Sequence, residues 1–169
     1  MRNFGFAGYD NVIYPGTNGK MTEVAAAIGL TNFDYIDYVV EVNWRNHRAY
    51  RERLGVLPGL RVLSYDDRDT PNYQYVVVEV GPECPVTRDE MVSGLHAENV
   101  LARKYFWPGC HRMQPYRDLY PHAGLLLPNT EAVAQHVMVL PTGTGTDLPS
   151  VHMVCDIIGC LIDGARPNG

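Results

Sequence analysis

The chain has 169 residues, of which 46% are apolar and 20% charged, with a net charge of −5 and a pI near 5.6. This length predicts one domain or one and a half, with enough apolar residues for a core that needs neither disulfides nor a metal. The acidic balance excludes the basic surface that nucleic-acid binding requires, and no run of about 18 apolar residues is available to cross a membrane.

Two helices are predicted after an irregular lead-in. Residues 1–19 are rich in Gly, Asn, Tyr and Pro and show no periodicity, so no regular element is expected there. Residues 20–30 carry apolar side chains at helical spacing, and so do residues 33–56, until Pro58 and Gly59 end the second helix. The predicted apolar faces consist of Met21, Val24, Ala25 and Ile28 in the first helix and of Ile36, Val40, Tyr50 and Leu54 in the second.

The rest of the chain alternates strands and helices. Thr87 is expected to form a capping box with Glu90 at the start of one helix, Asn129 is expected to cap the next, and residues 106–128 are predicted to be loop. The predicted strands are residues 60–65, 73–80, 99–105 and 137–140, and the predicted helices are residues 88–97, 129–135 and 148–161. This order favours an α+β fold, a small α/β sandwich: two N-terminal helices, then a small, mostly antiparallel sheet of three or four strands with helices packed on it.

The N-terminus has no apolar segment of the kind found in secretory signals, and the cysteines form no C-x-x-C pair, which predicts a reduced, cytoplasmic protein. Cys110, His111 and His122 lie close in sequence but lack a second pair at zinc-ligand spacing, so no metal site is predicted. No serine lies in a nucleophile elbow. Lysine chemistry has only two candidates, Lys20 and Lys104.

Two segments could bind a ligand, and each has a plain structural alternative. Residues 16–22, GTNGKMT, place backbone N–H groups at a helix N-terminus, which favours an anion; a helix cap with a solvated lysine is the simpler interpretation, because the glycine spacing differs from that of a phosphate-binding loop. Residues 102–112 combine aromatic rings, cations and an imidazole, which suit a phosphorylated or planar ligand, or else form an aromatic plug with arginines directed to solvent.

A family resemblance emerges from motifs that occur in a fixed order. Residues 2–5, RNFG, precede residues 16–23, GTNGKMTE, and the alanine-rich residues 25–30, AAAIGL. Further matches follow at Tyr50 and Leu54, at residues 72–75, 88–90 and 102–108, at His111, at residues 115–116 and at residues 140–143. Together they resemble the DegT/DnrJ/StrS-type sugar aminotransferases, whose hallmark is N-x-[RK]-M-[ST]-E before an alanine-rich helix that ends in Gly-Leu.

The resemblance implies a fold like the C-terminal domain of fold type I pyridoxal phosphate enzymes, with residues 1–56 as lead-in and interface helices, residues 57–166 as the small domain and residues 167–169 as a tail. Such enzymes work as dimers with the active site between subunits. They transfer an amino group from an amino acid to a keto sugar on a nucleotide carrier, in deoxyamino-sugar and antibiotic biosynthesis.

The resemblance covers only the C-terminal half of the family, without the large domain that carries the Schiff-base lysine. Lys20 matches the basic residue of the hallmark motif and Lys104 lies in the small domain, so no catalytic residue is predicted here and the chain is expected to be inactive alone. Pyridoxal phosphate would be bound only through a partner chain, because amino transfer needs a lysine as imine partner and proton shuttle.

The resemblance also implies contacts to ligands across the dimer. Asn18 would reach the cofactor phosphate, with Lys20 beside it, and Arg2 would lie near the same entrance on the substrate side. Tyr105 and His111 would line the sugar-nucleotide side.

Two functions remain open. In the first, the chain completes a shared active site with a large-domain chain, an intact paralogue or a second copy, pairing through the apolar helices of residues 1–56. In the alternative, it is a catalytically dead relic that acts as a binding or regulatory partner, with a nucleotide sugar as a possible ligand. A small module of unrelated function is the third interpretation, which the ordered motifs disfavour.

Overall fold

The computed structural model describes Ala7 and residues 13–66 and 68–165. The chain divides into two compact units, Met1–Tyr38 and Val39–Gly169, which are described separately. The boundary predicted from the sequence lies further along the chain, after residue 56. Arg2 and the predicted tail, residues 167–169, lie outside the described residues.

The first unit contains helix α1, Glu23–Phe33, and the N-terminal residues of helix α2, Ile36–Leu54. Thr22 starts α1, because its side-chain oxygen accepts a hydrogen bond from the Ala25 backbone N–H at 3.2 Å. The helix therefore begins later than the predicted residue 20. No residue of α1 is buried, and the side chains of its predicted apolar face are largely exposed.

The second unit is built on one antiparallel sheet of four strands in the order β1-β2-β4-β3. The strands are β1, Leu60–Val62; β2, Val76–Val80; β3, Arg103–Lys104; and β4, Val137–Leu140. In the centre of the sheet, Val76 pairs with Leu140 and Val78 with Met138. These residues are fully or almost fully buried, so the central strands form the middle of the core. The α+β prediction with a small antiparallel sheet is thus confirmed.

The remaining helices are α3, Arg88–Ala97; α4, Tyr116–Leu119; α5, Ala123–Leu126; α6, Pro128–His136; and α7, Leu148–Ala165; a 3-10 turn covers Cys110–Arg112. α3 packs against α7, where Gly94 allows a close approach: a Cβ there would lie 2.8 Å from the Leu161 methyl groups. From α2, Tyr50 and Leu54 enter the core as predicted, and the Tyr50 hydroxyl donates a hydrogen bond to the Pro141 carbonyl at 3.0 Å. Burial raises the pKa of Tyr50, so this hydroxyl stays protonated.

Several element boundaries differ from the prediction for local reasons. The strand expected at 99–105 has only two residues, because Asn99 adopts a positive φ of 60° and Val100 closes a turn to Leu95. The strand expected from residue 73 starts at Val76, because Tyr73 also has a positive φ. The predicted loop 106–128 contains the short helices α4 and α5 and the 3-10 turn.

Helix capping was predicted correctly at α3 and incorrectly at α6. At α3 both hydrogen bonds of the predicted Thr87–Glu90 capping box are present. At α6 the expected Asn129 cap is wrong: Pro128 occupies the first turn and Leu127 is the N-cap, without a side-chain hydrogen bond.

Within the described part of the chain, one helix, α7, is long and apolar enough to cross a membrane by length and composition, with a mean hydropathy of 1.4. The helix contains Asp156, which pairs with Arg53 of α2 at 2.5 Å. Other residues of the helix, including Val151, Ile158 and Ile162, belong to the core. We therefore interpret α7 as the amphipathic core helix of this unit.

Candidate functional site

Tyr105 and His111 line one cavity of about 730 Å³ beside the edge strand β3. Most of its wall is apolar and comes from the sheet and from α6, and a glycine and a cysteine contribute near His111. The lining residues are Leu63, Val77, Tyr105, Phe106, Gly109, Cys110, His111, Leu127, Asn129, Thr130, Val133, Ala134 and Val137. An apolar cavity with a few polar groups converging on it is typical of a small-molecule site. The structure thus brings these two sequence-predicted residues together.

Aromatic rings form the rim of this cavity next to β3. The Tyr105 ring stacks on Phe106 with centroids 3.8 Å apart, and the centroid of the Tyr75 ring lies 5.0 Å from that of Tyr105. A hydrogen bond with Tyr75, together with partial desolvation, raises the pKa of Tyr105, so its phenol stays protonated at neutral pH. Phe106 and Trp107 are 62% and 41% exposed, so these rings are accessible to solvent and do not form a buried plug.

His111 is held from two directions. Its Nε2 lies 2.6 Å from Glu131 Oε1, and the same oxygen accepts a hydrogen bond from Arg112 Nε at 2.6 Å. Gly109, with a φ of 96°, passes so close that a Cβ there would lie 2.7 Å from the imidazole Cε1. Hydrogen bonds from Arg112 and His111 lower the pKa of Glu131, so its carboxylate is ionised at neutral pH.

Arg88 is a buried cation that the sequence identifies only as part of a matching motif. Its Nη1 donates to the backbone carbonyls of Ala134 at 2.9 Å and Val137 at 2.7 Å, where α6 passes into β4. Its guanidinium also lies 5.1 Å from the centre of the Trp107 ring. Arg88 therefore joins the start of α3 to Trp107 and to the junction of α6 and β4.

Lys104 and Arg88 share a carboxylate partner, Asp89. Lys104 Nζ lies 3.0 Å from Asp89 Oδ2, and Arg88 Nε donates to the other oxygen of Asp89 at 2.6 Å. Partial burial opposes ionisation of Asp89, but the hydrogen bonds from Lys104 and Arg88 outweigh it and lower the pKa of this carboxyl. The side-chain nitrogen of Lys104 is therefore engaged by a carboxylate in this structure.

Asn18 and Lys20 lie in the first unit, and both are exposed. They precede the Thr22 cap of α1, so the helix-cap interpretation of residues 16–22 is present in the structure, and their ligand contacts remain a prediction. Arg2, the third residue expected near the entrance, is outside the described residues. Among the residues that are described, no group of His, Cys, Asp and Glu side chains could hold a metal ion.

Sequence reasoning did not identify a second cavity, of about 570 Å³, between α2 and the segment from Tyr65 to Tyr73. The rings of His47, Tyr65 and Tyr73 lie 4.9–5.5 Å apart, centre to centre, and His47 Nε2 contacts the Leu63 carbonyl at 2.9 Å. Sequence reasoning also missed the contact between Glu131 and His111. Neither feature leaves a local signal, because the partners are distant in sequence.

Similarity to known proteins extends over nearly the whole chain. Residues 1–159 match the DegT/DnrJ/EryC1/StrS aminotransferase family. The chain is 33% identical over 144 residues to dTDP-4-amino-4,6-dideoxy-D-glucose transaminase of Escherichia coli, covering 85% of this chain and 39% of that protein. It is 26% identical over 150 residues to GDP-perosamine synthase of Vibrio cholerae, covering 89% of this chain and 39% of that protein.

Among solved structures, the chain is similar to DesI, determined in the presence of its TDP-sugar product, with 43% identity and a TM-score of 0.83 over 97% of this chain and 42% of that one. The fold also matches PseC of Helicobacter pylori, with 18% identity and a TM-score of 0.82 over 96% of this chain and 44% of that one. The chain spans about two fifths of the length of these relatives. It belongs to the DegT/DnrJ/EryC1/StrS aminotransferase family.

Proposed function

We propose that the chain is the C-terminal portion of a pyridoxal phosphate-dependent nucleotide-sugar aminotransferase and completes a shared active site with another chain. The observation that carries this proposal is that Tyr105 and His111, the two residues expected on the sugar-nucleotide side, line the same cavity. The phenol of Tyr105 and the imidazole of His111 provide hydrogen-bonding groups in an otherwise apolar wall, which suits a sugar with several hydroxyls. The expected reaction moves an amino group from an amino acid to a keto sugar, in the cytoplasm.

This chain does not by itself fit pyridoxal phosphate as a covalent host. Lys104 is paired with Asp89 at 3.0 Å, and Lys20, the other lysine, is exposed before α1. When bound, the cofactor supplies the electron sink for amino transfer. We assign the covalent lysine to another chain, and to this one the contacts of Asn18 and Lys20 to the cofactor phosphate and of Arg2 to the substrate.

We further propose that residues 1–56 form the interface with that chain. The exposed fractions of the α1 side chains Val24, Ile28 and Leu30 are 71%, 58% and 69%. A row of apolar side chains of this size favours association. A large-domain chain, an intact paralogue and a second copy are the candidate partners. Sedimentation should show self-association of this chain, or a complex when a large-domain chain or an intact paralogue is added. A strictly monomeric chain at high concentration would contradict pairing through this segment.

Borohydride reduction in the presence of pyridoxal phosphate tests the cofactor assignment. The isolated chain should show no stoichiometric attachment of the cofactor to Lys20 or Lys104 by mass spectrometry, because Lys104 is paired with Asp89 and the exposed Lys20 should react only to the low extent common to surface amines. Lys104→Arg serves as the control, since it removes the amine and should give the same result. Stoichiometric attachment to either lysine would show that the chain holds the cofactor alone.

A complementation assay tests the shared site. A relative such as the Escherichia coli transaminase would carry a substitution at its position matching Asn18, which should abolish activity. Co-expression with this chain should restore sugar amination, and co-expression with its Asn18→Ala variant should not. If neither chain restores activity but this chain still binds a nucleotide sugar without turnover, the alternative function as a binding or regulatory partner is supported instead.

A further inference from the structure

His111 lines the cavity beside β3 and also contacts Glu131 of α6. Its Nε2 lies 2.6 Å from Glu131 Oε1. Asn129, Thr130 and Val133 of α6 line the cavity, but Glu131 of the same helix does not. The edge of the imidazole that carries Nε2 is therefore directed to a carboxylate that is not part of the cavity wall.

The ring has little freedom to turn. The His111 side chain is 9% exposed. The Gly109 backbone lies against the edge with Cε1 and Nδ1, where a Cβ would come within 2.7 and 3.0 Å of these atoms. Among the described residues, Nδ1 has no hydrogen-bond partner. One ring nitrogen, Nε2, is thus engaged by the protein, whereas Nδ1 lies beside Gly109 without a hydrogen-bond partner among the described residues.

We propose that Glu131 is a positioning residue that holds the proton of His111 on Nε2, so that Nδ1 presents an acceptor lone pair to a hydroxyl of the bound sugar. In a neutral imidazole, the hydrogen bond at one nitrogen determines which nitrogen carries the proton. A carboxylate accepts hydrogen bonds only, so Nε2 must be the donor in this contact. The assignment of a sugar hydroxyl as the ligand group rests on the proposed function.

Arg112 contacts the same carboxylate. Its Nε donates to the same Glu131 oxygen at 2.6 Å, and the resulting low pKa keeps Glu131 ionised at neutral pH. The carboxylate is therefore a permanent acceptor for His111 Nε2–H across the neutral range. Because Arg112 contacts Glu131 and not the imidazole, its removal should leave the orientation of His111 unchanged, which makes Arg112→Ala a matched control.

Nitrogen-15 NMR of the full chain tests the proposal, with the His111 signals assigned from a His111→Gln variant. Near neutral pH the wild type should show a slowly exchanging proton bonded to His111 Nε2. Glu131→Ala should accelerate exchange of this proton by on the order of tenfold or more, whereas Glu131→Gln, which retains an acceptor oxygen, and Arg112→Ala should preserve it. A proton on Nδ1 in the wild type, or an unchanged exchange rate in Glu131→Ala with a native amide spectrum, would overturn the proposal.

Calorimetry with thymidine diphosphate glucose separates this result from the proposed function. If the wild type binds the nucleotide sugar, Glu131→Ala should weaken binding by about tenfold, while binding of thymidine diphosphate without the sugar stays the same. If the wild type shows the protected Nε2 proton and binds no nucleotide sugar, the positioning role of Glu131 stands and the proposed sugar site is wrong.

Discussion

Replacing Arg88 by Met should cost about 3 kcal/mol of unfolding free energy, although the substitution keeps the apolar stem of the side chain. The Arg88 side chain is 2% exposed, and its guanidinium satisfies two backbone carbonyls at 2.7 and 2.9 Å. A hydrogen bond from a charged donor contributes about 1.5–3 kcal/mol, and a buried carbonyl left without a partner costs about 1–3 kcal/mol. Removing the buried charge recovers part of this loss, because its desolvation cost disappears as well.

The ion pair between Arg88 and Asp89 adds little to the expected loss of unfolding free energy. Asp89 is 52% exposed, so its attraction to Arg88 is screened by water and contributes at most about 1 kcal/mol. Arg88→Lys keeps the charge but loses the planar fork of the guanidinium, so we expect a loss of about 1–2 kcal/mol. The matched control is Arg61→Met: Arg61 also pairs with a carboxylate, that of Glu79, but its side chain is 70% exposed, and its removal should cost under about 0.5 kcal/mol.

Urea unfolding followed by circular dichroism measures these differences as shifts of the midpoint at constant slope. If Arg88→Met loses less than about 1 kcal/mol, or no more than Arg61→Met, the carbonyl contacts of Arg88 do not stabilise the junction of α6 and β4 and the reasoning fails.

Three further outcomes follow from the site and its supports. Thr87→Ala removes the capping box of α3 and should lower the free energy of unfolding by about 1 kcal/mol in urea titrations. Gly109→Ala places a Cβ 2.7 Å from the His111 ring at a positive φ and should cost about 1–3 kcal/mol and shift the imidazole NMR signals, while Gly145→Ala, with open space around it, should do neither. The pKa of Glu131 is lowered from its ordinary value of 4.5, so its contribution to stability is present above that pH and is lost as pH falls through the lower folded value. The stability difference between the wild type and Glu131→Gln should therefore shrink as the solution is acidified below pH 4.5.

Local signals in the sequence predicted much of the fold. The bounds of α3 and β4 were correct because Thr87 and Glu90 cap one and a short apolar run rich in valine forms the other. The strand predicted from residue 99 was too long, because the positive φ of Asn99 cannot be read from apolar periodicity. The α6 cap was misplaced because Asn129 is a good capping residue but Pro128 also favours the first turn.

The site was predictable only in part. Tyr105 and His111 follow from the family motif, and the structure places both at one cavity. The residues that support them could not be predicted from the sequence, because their partners are distant. Glu131 is 20 positions from His111, and Arg88 is 46 positions from the Ala134 carbonyl that it binds. A sequence predicts helix caps well because the partners are neighbours, whereas contacts between distant elements depend on how the sheet and helices pack.

If α1 docks onto a partner as proposed, its exposure links its conformation to assembly. The helix has 11 residues and buries none of them, and isolated helices shorter than about 12–15 residues are marginal in water. Docking of its apolar side chains onto another polypeptide would therefore stabilise the helix, so that α1 forms fully only when the partner is bound. The helical content of the chain should consequently rise with protein concentration, and a partner that covers α1 should slow hydrogen exchange of its amides before any substrate is present.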